Sequence, residues 1–216
     1  MLKVILSLLA VAAVLLVNEY LWRRKILHGE LKRKFVHIVV TSFVAFWPWL
    51  MSWKAIQLLG IAMVLILLLN RQFKALHYLG NIRQRTYGEI FLALAVTTTA
   101  LLTDNKVFFA IAILHVALAD GFAAIIGTKF GGNWKYKIFN QTKTLIGTMT
   151  FWIISLCILG GGLLFVSGVI PFSHYQVLLI LLPPILTAIE NIAVFGLDNL
   201  AIPVAVVIAL QKASIK

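Results

Sequence analysis

The sequence has 216 residues, of which 62% are hydrophobic and only 12% charged, against about 45–50% apolar and about 25% charged in average soluble chains. Those figures exclude a soluble domain and intrinsic disorder, and a single cysteine, Cys157, excludes a disulfide scaffold. The formal charge of +12 does not point to nucleic acid, because the basic residues sit between long apolar runs. The composition predicts one domain over residues 1–216: an all-α, polytopic integral membrane bundle embedded in the lipid bilayer.

A hydrocarbon core about 30 Å thick takes roughly 17–25 helical residues. The apolar runs predict spans at 2–21, 35–51, 53–69, 89–103, 107–128, 144–170, 175–195 and 200–211. That makes eight, or seven if the last is re-entrant. The fourth and eighth are short, so each tilts little, thins the bilayer or enters part-way. The first run continues to Trp22 without a small-residue cleavage site and meets Arg23, Arg24 and Lys25, so it reads as a retained helix and not a signal peptide. Gly160-Gly161-Gly162 in the sixth span reads as close packing or flexibility. Pro183-Pro184 in the seventh is expected to disturb its hydrogen-bond ladder, since neither ring has an N–H.

The cations set the orientation. Six lie in the 22–34 loop, four in 70–88, four in 129–143 and none in 196–199, leaving Lys3, Lys54, Lys106, Lys212 and Lys216 for the other side. The richer side is expected in the cytoplasm, with both termini outside. Glu19, Glu30, Glu89, Asp120, Glu190 and Asp198 fall on that same side, and only Asp104 faces the other way. Positive-inside bias explains the cations but not the acids beside them.

The stretch from Asp120 to Gly131 carries the most information. An ionised Asp costs about 2.5–3.5 kcal/mol near the centre of a span and less near its end, so something must offset it. Residues 120, 124, 127 and 131 share a helical face that reads Asp, Ala, Gly, Gly and admits a helix or a ligand to backbone contact. A polar loop follows, ending at Lys143-Thr144 with Gly147-Thr148 where the sixth span begins. A cation, hydroxyls and free helix N–H groups together are the chemistry of a phosphate cradle, although the spacing is not that of a P-loop. Paired with Asp120, they suggest nucleotide phosphates plus a divalent ion. Arg33, Lys34 and His37 open the second span, Arg33 and His37 sharing a face four residues apart. Glu190-Asn191 and Asp198-Asn199 offer oxygen ligands suited to Mg2+, or plain helix capping in the turn.

These pieces, Arg33-Lys34-Phe35-Val36-His37, Tyr87-Gly88-Glu89-Ile90, Asp120 to Gly131, Lys143-Thr144 with Gly147-Thr148, and Glu190-Asn191 with Gly196-Leu197-Asp198-Asn199, resemble the CTP-dependent lipid alcohol kinases. That group comprises dolichol kinase, phytol kinase and the yeast-type diacylglycerol kinase, and it looks related to the phosphatidate cytidylyltransferases. The basic, proline-containing carboxy-terminal signature of the latter is missing, with Glu190 to Pro203 in its place.

The resemblance implies a kinase that transfers the γ-phosphate of CTP to an isoprenoid or other lipid alcohol at the cytoplasmic face. Asp120, Glu190 and Asp198 are expected to share Mg2+. Lys143 and Thr144, with the 147–148 backbone, are expected to hold the β- and γ-phosphates, and Arg33, Lys34 and His37 to clamp phosphate oxygens from the opposite helix. Gly127, Lys129, Gly131 and Asn199 complete the expected nucleotide site. The base is Asp198 or Asp120, with His37 a weaker candidate. Glu89 is expected to position a ligand or to pair with Arg83 or Arg85. His115, about 140° round the helix from Asp120, is expected to be an interhelical donor outside the site. Two other readings stand beside this one: a cytidylyltransferase making a CDP-lipid, and a small transporter, which would place its acids nearer mid-membrane and on both sides.

Overall fold

The computed structural model describes residues 2–26, 29–73, 87–139, 141–166 and 168–214. Every predicted span is occupied by helix: α1 (Leu2–Arg23), α2 (Gly29–Ala45), a single turn α3 (Trp47–Leu50), α4 (Trp53–Phe73), α5 (Gly88–Leu102), α6 (Lys106–Leu114), α7 (Gly121–Phe130), α8 (Leu145–Leu163), α9 (Phe172–Ile192) and α10 (Asp198–Ala213). The chain is an all-α membrane bundle. Among the described residues, five runs are long and apolar enough to cross a bilayer: Leu2–Arg23, Trp53–Arg71, Lys106–Phe130, Leu145–Val166 and Phe172–Ile192. The helices of the remaining three spans, α2, α5 and α10, are 17, 15 and 16 residues long; α5 and α10 are the fourth and eighth spans expected to be short, and α2 is a third.

The central element is the run from Lys106 to Phe130, whose Phe109, Ile113 and Val116 are inaccessible to solvent. On one side it packs with α8, α9 and α10 around Phe151, Leu186 and Val206; on the other it packs with α2, α3 and α5 around Ala45, Trp47 and Val96. By contrast α1 buries only Ser7 and Asn18, and it presents Leu9 and Leu16 outward. A peripheral helix with apolar residues all round is what a hydrocarbon solvent permits.

Local chemistry accounts for the departures from the predicted pattern. Pro48 ends the second run early, because its ring cannot continue the helix of α2 and instead starts the turn of α3. Pro183 and Pro184 do not break α9, which runs through both; the Thr187 hydroxyl donates to the Pro183 carbonyl at 2.8 Å. Gly162 packs against Ile111, whose Cγ1 would lie 2.5 Å from an added Cβ, whereas Gly161 faces open space. Between α6 and α7 the chain takes a π-helical turn, His115–Asp120, a rare form that concentrates at functional sites. The segment expected as a polar loop contains an antiparallel hairpin, β1 (Lys135–Ile138) with β2 (Gln141–Thr144), in which Tyr136 lies opposite Lys143.

Candidate active site

Lys34 extends from α2 to Asp120, at the end of the π turn, and its Nζ donates to Asp120 Oδ2 at 2.7 Å. Both residues are buried, at 5% and 8% exposure. His37, one turn along α2, places Nε2 at 3.0 Å from the Val116 carbonyl and 3.4 Å from the same Asp120 oxygen. A carbonyl only accepts, so Nε2 carries the proton. The side chains that answer Asp120 are therefore Lys34 and His37, three apart, and not the pair Arg33 and His37; Arg33 is exposed.

A second pair forms a short distance away. Lys143 of β2 meets the Glu190 carboxylate near the end of α9, and its Nζ also donates to the Glu190 carbonyl at 2.9 Å. A cation there also suits the carbonyl end of a helix. The next residue, Asn191, uses its Oδ1 to accept from the Tyr136 hydroxyl at 2.8 Å and from Thr148 at 3.3 Å, while the two hydroxyls touch each other. The hairpin is thereby tied to α8 and α9, which holds Lys143 in place. Tyr136 is the residue that sequence reasoning missed. Its signal was the alternation Lys135-Tyr136-Lys137-Ile138 inside a segment taken as loop.

The turn before α10 docks on the start of α5. Gly196 has φ +88, and a Cβ there would lie 2.5 Å from Gly88 Cα, so only glycine fits by both criteria. Asn199 Nδ2 donates to the Gly88 carbonyl at 3.0 Å. Its Oδ1 is buried and has no partner among the described residues. Asp198 is the first residue of α10, and Asp120, Lys143, Lys34 and Glu190 act on its buried carboxyl. Asp120, Lys143 and Lys34 surround Glu190 as well, which puts Asp120, Glu190, Asp198, Lys34 and Lys143 in one electrostatic neighbourhood.

Several expectations are revised by this geometry. The glycine face of α7 is occupied by α8: a Cβ on Gly127 would lie 2.6 Å from Thr144 Oγ1 and 3.1 Å from Gly147 Cα, and one on Gly131 would meet Thr144 Cγ2 at 2.5 Å. These glycines serve helix approach and leave no room there for a nucleotide. Thr144 caps α8 by accepting from Gly147 N at 3.1 Å, so one of the two N–H groups expected to cradle phosphate is already engaged; Leu145 N just before it donates to the Trp134 carbonyl. Lys129 is exposed, with its Nζ 5.1 Å from the centroid of Phe130, and stands apart from the buried cluster. His115 bonds Ile111 O and Ser155 Oγ, at 2.7 and 3.1 Å. A carbonyl only accepts, so Nδ1 donates within its own helix and Nε2 of the neutral ring accepts from Ser155; His115 links two helices as expected, but as an acceptor and not as the donor, and the π turn narrows its angle to Asp120 below that of a regular helix. Glu89 sits exposed in the first turn of α5; Arg83 and Arg85 lie outside the described residues.

The metal set is also rearranged. Among the described residues no three His, Cys, Asp or Glu side chains converge closely enough to hold an ion, and Asp120 and Glu190 each hold a lysine. Asp120, Asp198 and the unpartnered Asn199 Oδ1 nonetheless supply hard oxygen donors at one end of the bundle, the donor type that Mg2+ takes.

A comparison with curated proteins finds a phytol kinase of Synechocystis sp., 29% identical over 200 residues that cover 88% of this chain and 82% of the relative. No family model matches the sequence, and no solved structure matches it.

Proposed function

We propose that the chain is a lipid alcohol kinase, transferring the γ-phosphoryl group of CTP to the hydroxyl of an isoprenoid-type alcohol at the cytoplasmic face of the membrane. The observation that carries this reading is the two buried lysine–carboxylate pairs, Lys34–Asp120 and Lys143–Glu190, gathered beside Asp198 at one end of an apolar bundle. Likeness over most of both chains to a protein named phytol kinase supports the kinase activity and the lipid alcohol class.

Phosphoryl transfer asks a protein for charge neutralisation and alignment more than for covalent chemistry. Lys34 and Lys143 are positioned to bind phosphate oxygens, each exchanging its carboxylate for the nucleotide, with His37 as a further donor beside Lys34. Asp120, Asp198 and Asn199 would hold Mg2+. The bound ion would neutralise the phosphate charge. Asp198 is the better base, because Lys34 and His37 already engage Asp120. The alcohol oxygen forms its bond to the γ-phosphorus, the bond to the β-phosphate oxygen breaks, CDP leaves, and the hydroxyl proton passes to Asp198.

Purified protein incubated with phytol, geranylgeraniol, polyprenol or diacylglycerol, and with CTP or ATP in Mg2+, tests the reading. A phosphorylated alcohol from at least one of them, with CTP preferred, is the expected result. Pyrophosphate and a CDP-lipid from phosphatidate would replace it with the cytidylyltransferase reading.

A further inference from the structure

The α5 and α10 helices run side by side in the same direction. At the site end Asn199 donates to the Gly88 carbonyl, and at the far end the Gln211 amide donates to the Leu102 carbonyl. Between these ties their outer surfaces leave a cleft of about 470 Å3, walled by Leu197, Leu200, Ala201 and Val204 on one side and by Thr98 and Leu101 on the other. That volume is in the range of small-molecule sites. Its one polar wall residue, Thr98, turns its hydroxyl back to the Leu94 and Ala95 carbonyls of its own helix, at 2.9 and 3.2 Å. The cleft is therefore apolar throughout. Leu101 is 65% exposed and Leu197 42%, so the cleft is open sideways to the bilayer.

We propose that this cleft holds the hydrocarbon tail of the acceptor alcohol, and so selects alcohols by tail length; the proposal rests on the kinase reading. The cleft begins at Leu197, next to Asp198, the group assigned to take the hydroxyl proton, and a tail entering from the bilayer would deliver its hydroxyl there. Along α10 the wall runs from Leu197 to Val204, seven residues or about 10 Å at 1.5 Å per residue, and Thr98 and Leu101 of α5 carry it on toward the far tie. A tail leaving lipid for this cleft gains nothing from the hydrophobic effect, because its surroundings are apolar in both places. Discrimination must come from fit along the walls, and a short tail reaches only the half nearest Asp198.

The test compares geraniol with geranylgeraniol and phytol as acceptors for the full-length protein. Val204→Phe narrows the cleft part-way along, and Ile180→Phe is the control, on the exposed face of α9. Val204→Phe is expected to lower kcat/KM for the two long alcohols about tenfold while leaving geraniol little changed, and Ile180→Phe to change neither. A geranylgeraniol analogue with a photoreactive group at its tail end is expected to label wild-type protein at Leu101 or Leu102, a readout that does not depend on a variant folding. Equal effects on short and long alcohols, or labelling elsewhere, would overturn the cleft while the kinase stands. A wild-type protein that phosphorylates none of the alcohols would overturn both.

Discussion

Replacing Lys34 with Met leaves the Asp120 carboxylate buried with only His37 beside it. The pair is 2.7 Å long, and its side chains are 7% and 11% exposed. At an effective dielectric of about 20, unit charges at that distance attract by about 6 kcal/mol, most of which offsets the cost of removing both from water. Breaking such a pair from one side costs about 3–5 kcal/mol, whereas replacing both members with apolar residues is often close to neutral. Lys34→Met should fall at the low end, because His37 Nε2 stays 3.4 Å from the same Asp120 oxygen; Asp120→Leu, which strands the lysine, should fall at the high end. For a chain of this size each single change corresponds to a fall of about 10 °C in Tm. Lys34→Met with Asp120→Leu should recover most of that loss, leaving the double variant about 2 kcal/mol below wild type and giving a coupling energy of about 6 kcal/mol in thermal unfolding in detergent. The double variant should remain inactive, since both groups are assigned to the nucleotide and its ion. Losses that add, with coupling below about 0.5 kcal/mol, would refute the pair as a structural unit. The same geometry qualifies any inactivity of Asp120→Asn, which removes a lysine's partner as well as an ion ligand, so it should be compared with the double variant.

Three further outcomes follow from single contacts. Gly127→Ala should cost about 1–3 kcal/mol, because its methyl would meet Thr144 Oγ1 at 2.6 Å and press α7 off α8; unfolding in detergent reads the loss. Tyr136→Phe removes a hydroxyl from the Asn191 and Thr148 network and should cost about 1 kcal/mol, with a higher KM for the nucleotide as Lys143 loses its support. Lys129→Ala should leave KM and kcat near wild type, since Lys129 is exposed beside Phe130; a large rise in the KM for CTP would return it to the site.

The helices were legible in the sequence because five of the apolar runs are long enough to cross the hydrocarbon core and the others come close, a property that needs no partner. The acids were legible as candidates for the same reason: Asp120 and Glu190 stand inside apolar runs where their cost demands an explanation. Which cation answers each acid was not legible. Lys34 reaches Asp120 across 86 positions and Lys143 reaches Glu190 across 47, so both pairings depend on which helices become neighbours. The choice of Lys34 over Arg33 is a rotation of one residue about α2. The hairpin offered only the four-residue alternation Lys135-Tyr136-Lys137-Ile138, with Lys135 and Lys137 exposed, which is too short to tell from a polar loop; its hydrogen-bond register makes it a strand pair. The glycines of α7 were read correctly as a face for close approach, but proximity alone could not say whether a helix or a ligand takes it, and α8 does.

The central claim is that the chain moves a γ-phosphoryl group onto a lipid hydroxyl, and the most direct measurement follows two labels in one reaction. Purified protein is given a lipid alcohol, Mg2+ and CTP labelled at either the α- or the γ-phosphorus, and the lipid phase is then analysed. The account predicts that the γ label enters the lipid as a monophosphate while the α label stays in water-soluble CDP. Entry of the α label into the lipid, or of neither label with any alcohol, would contradict it.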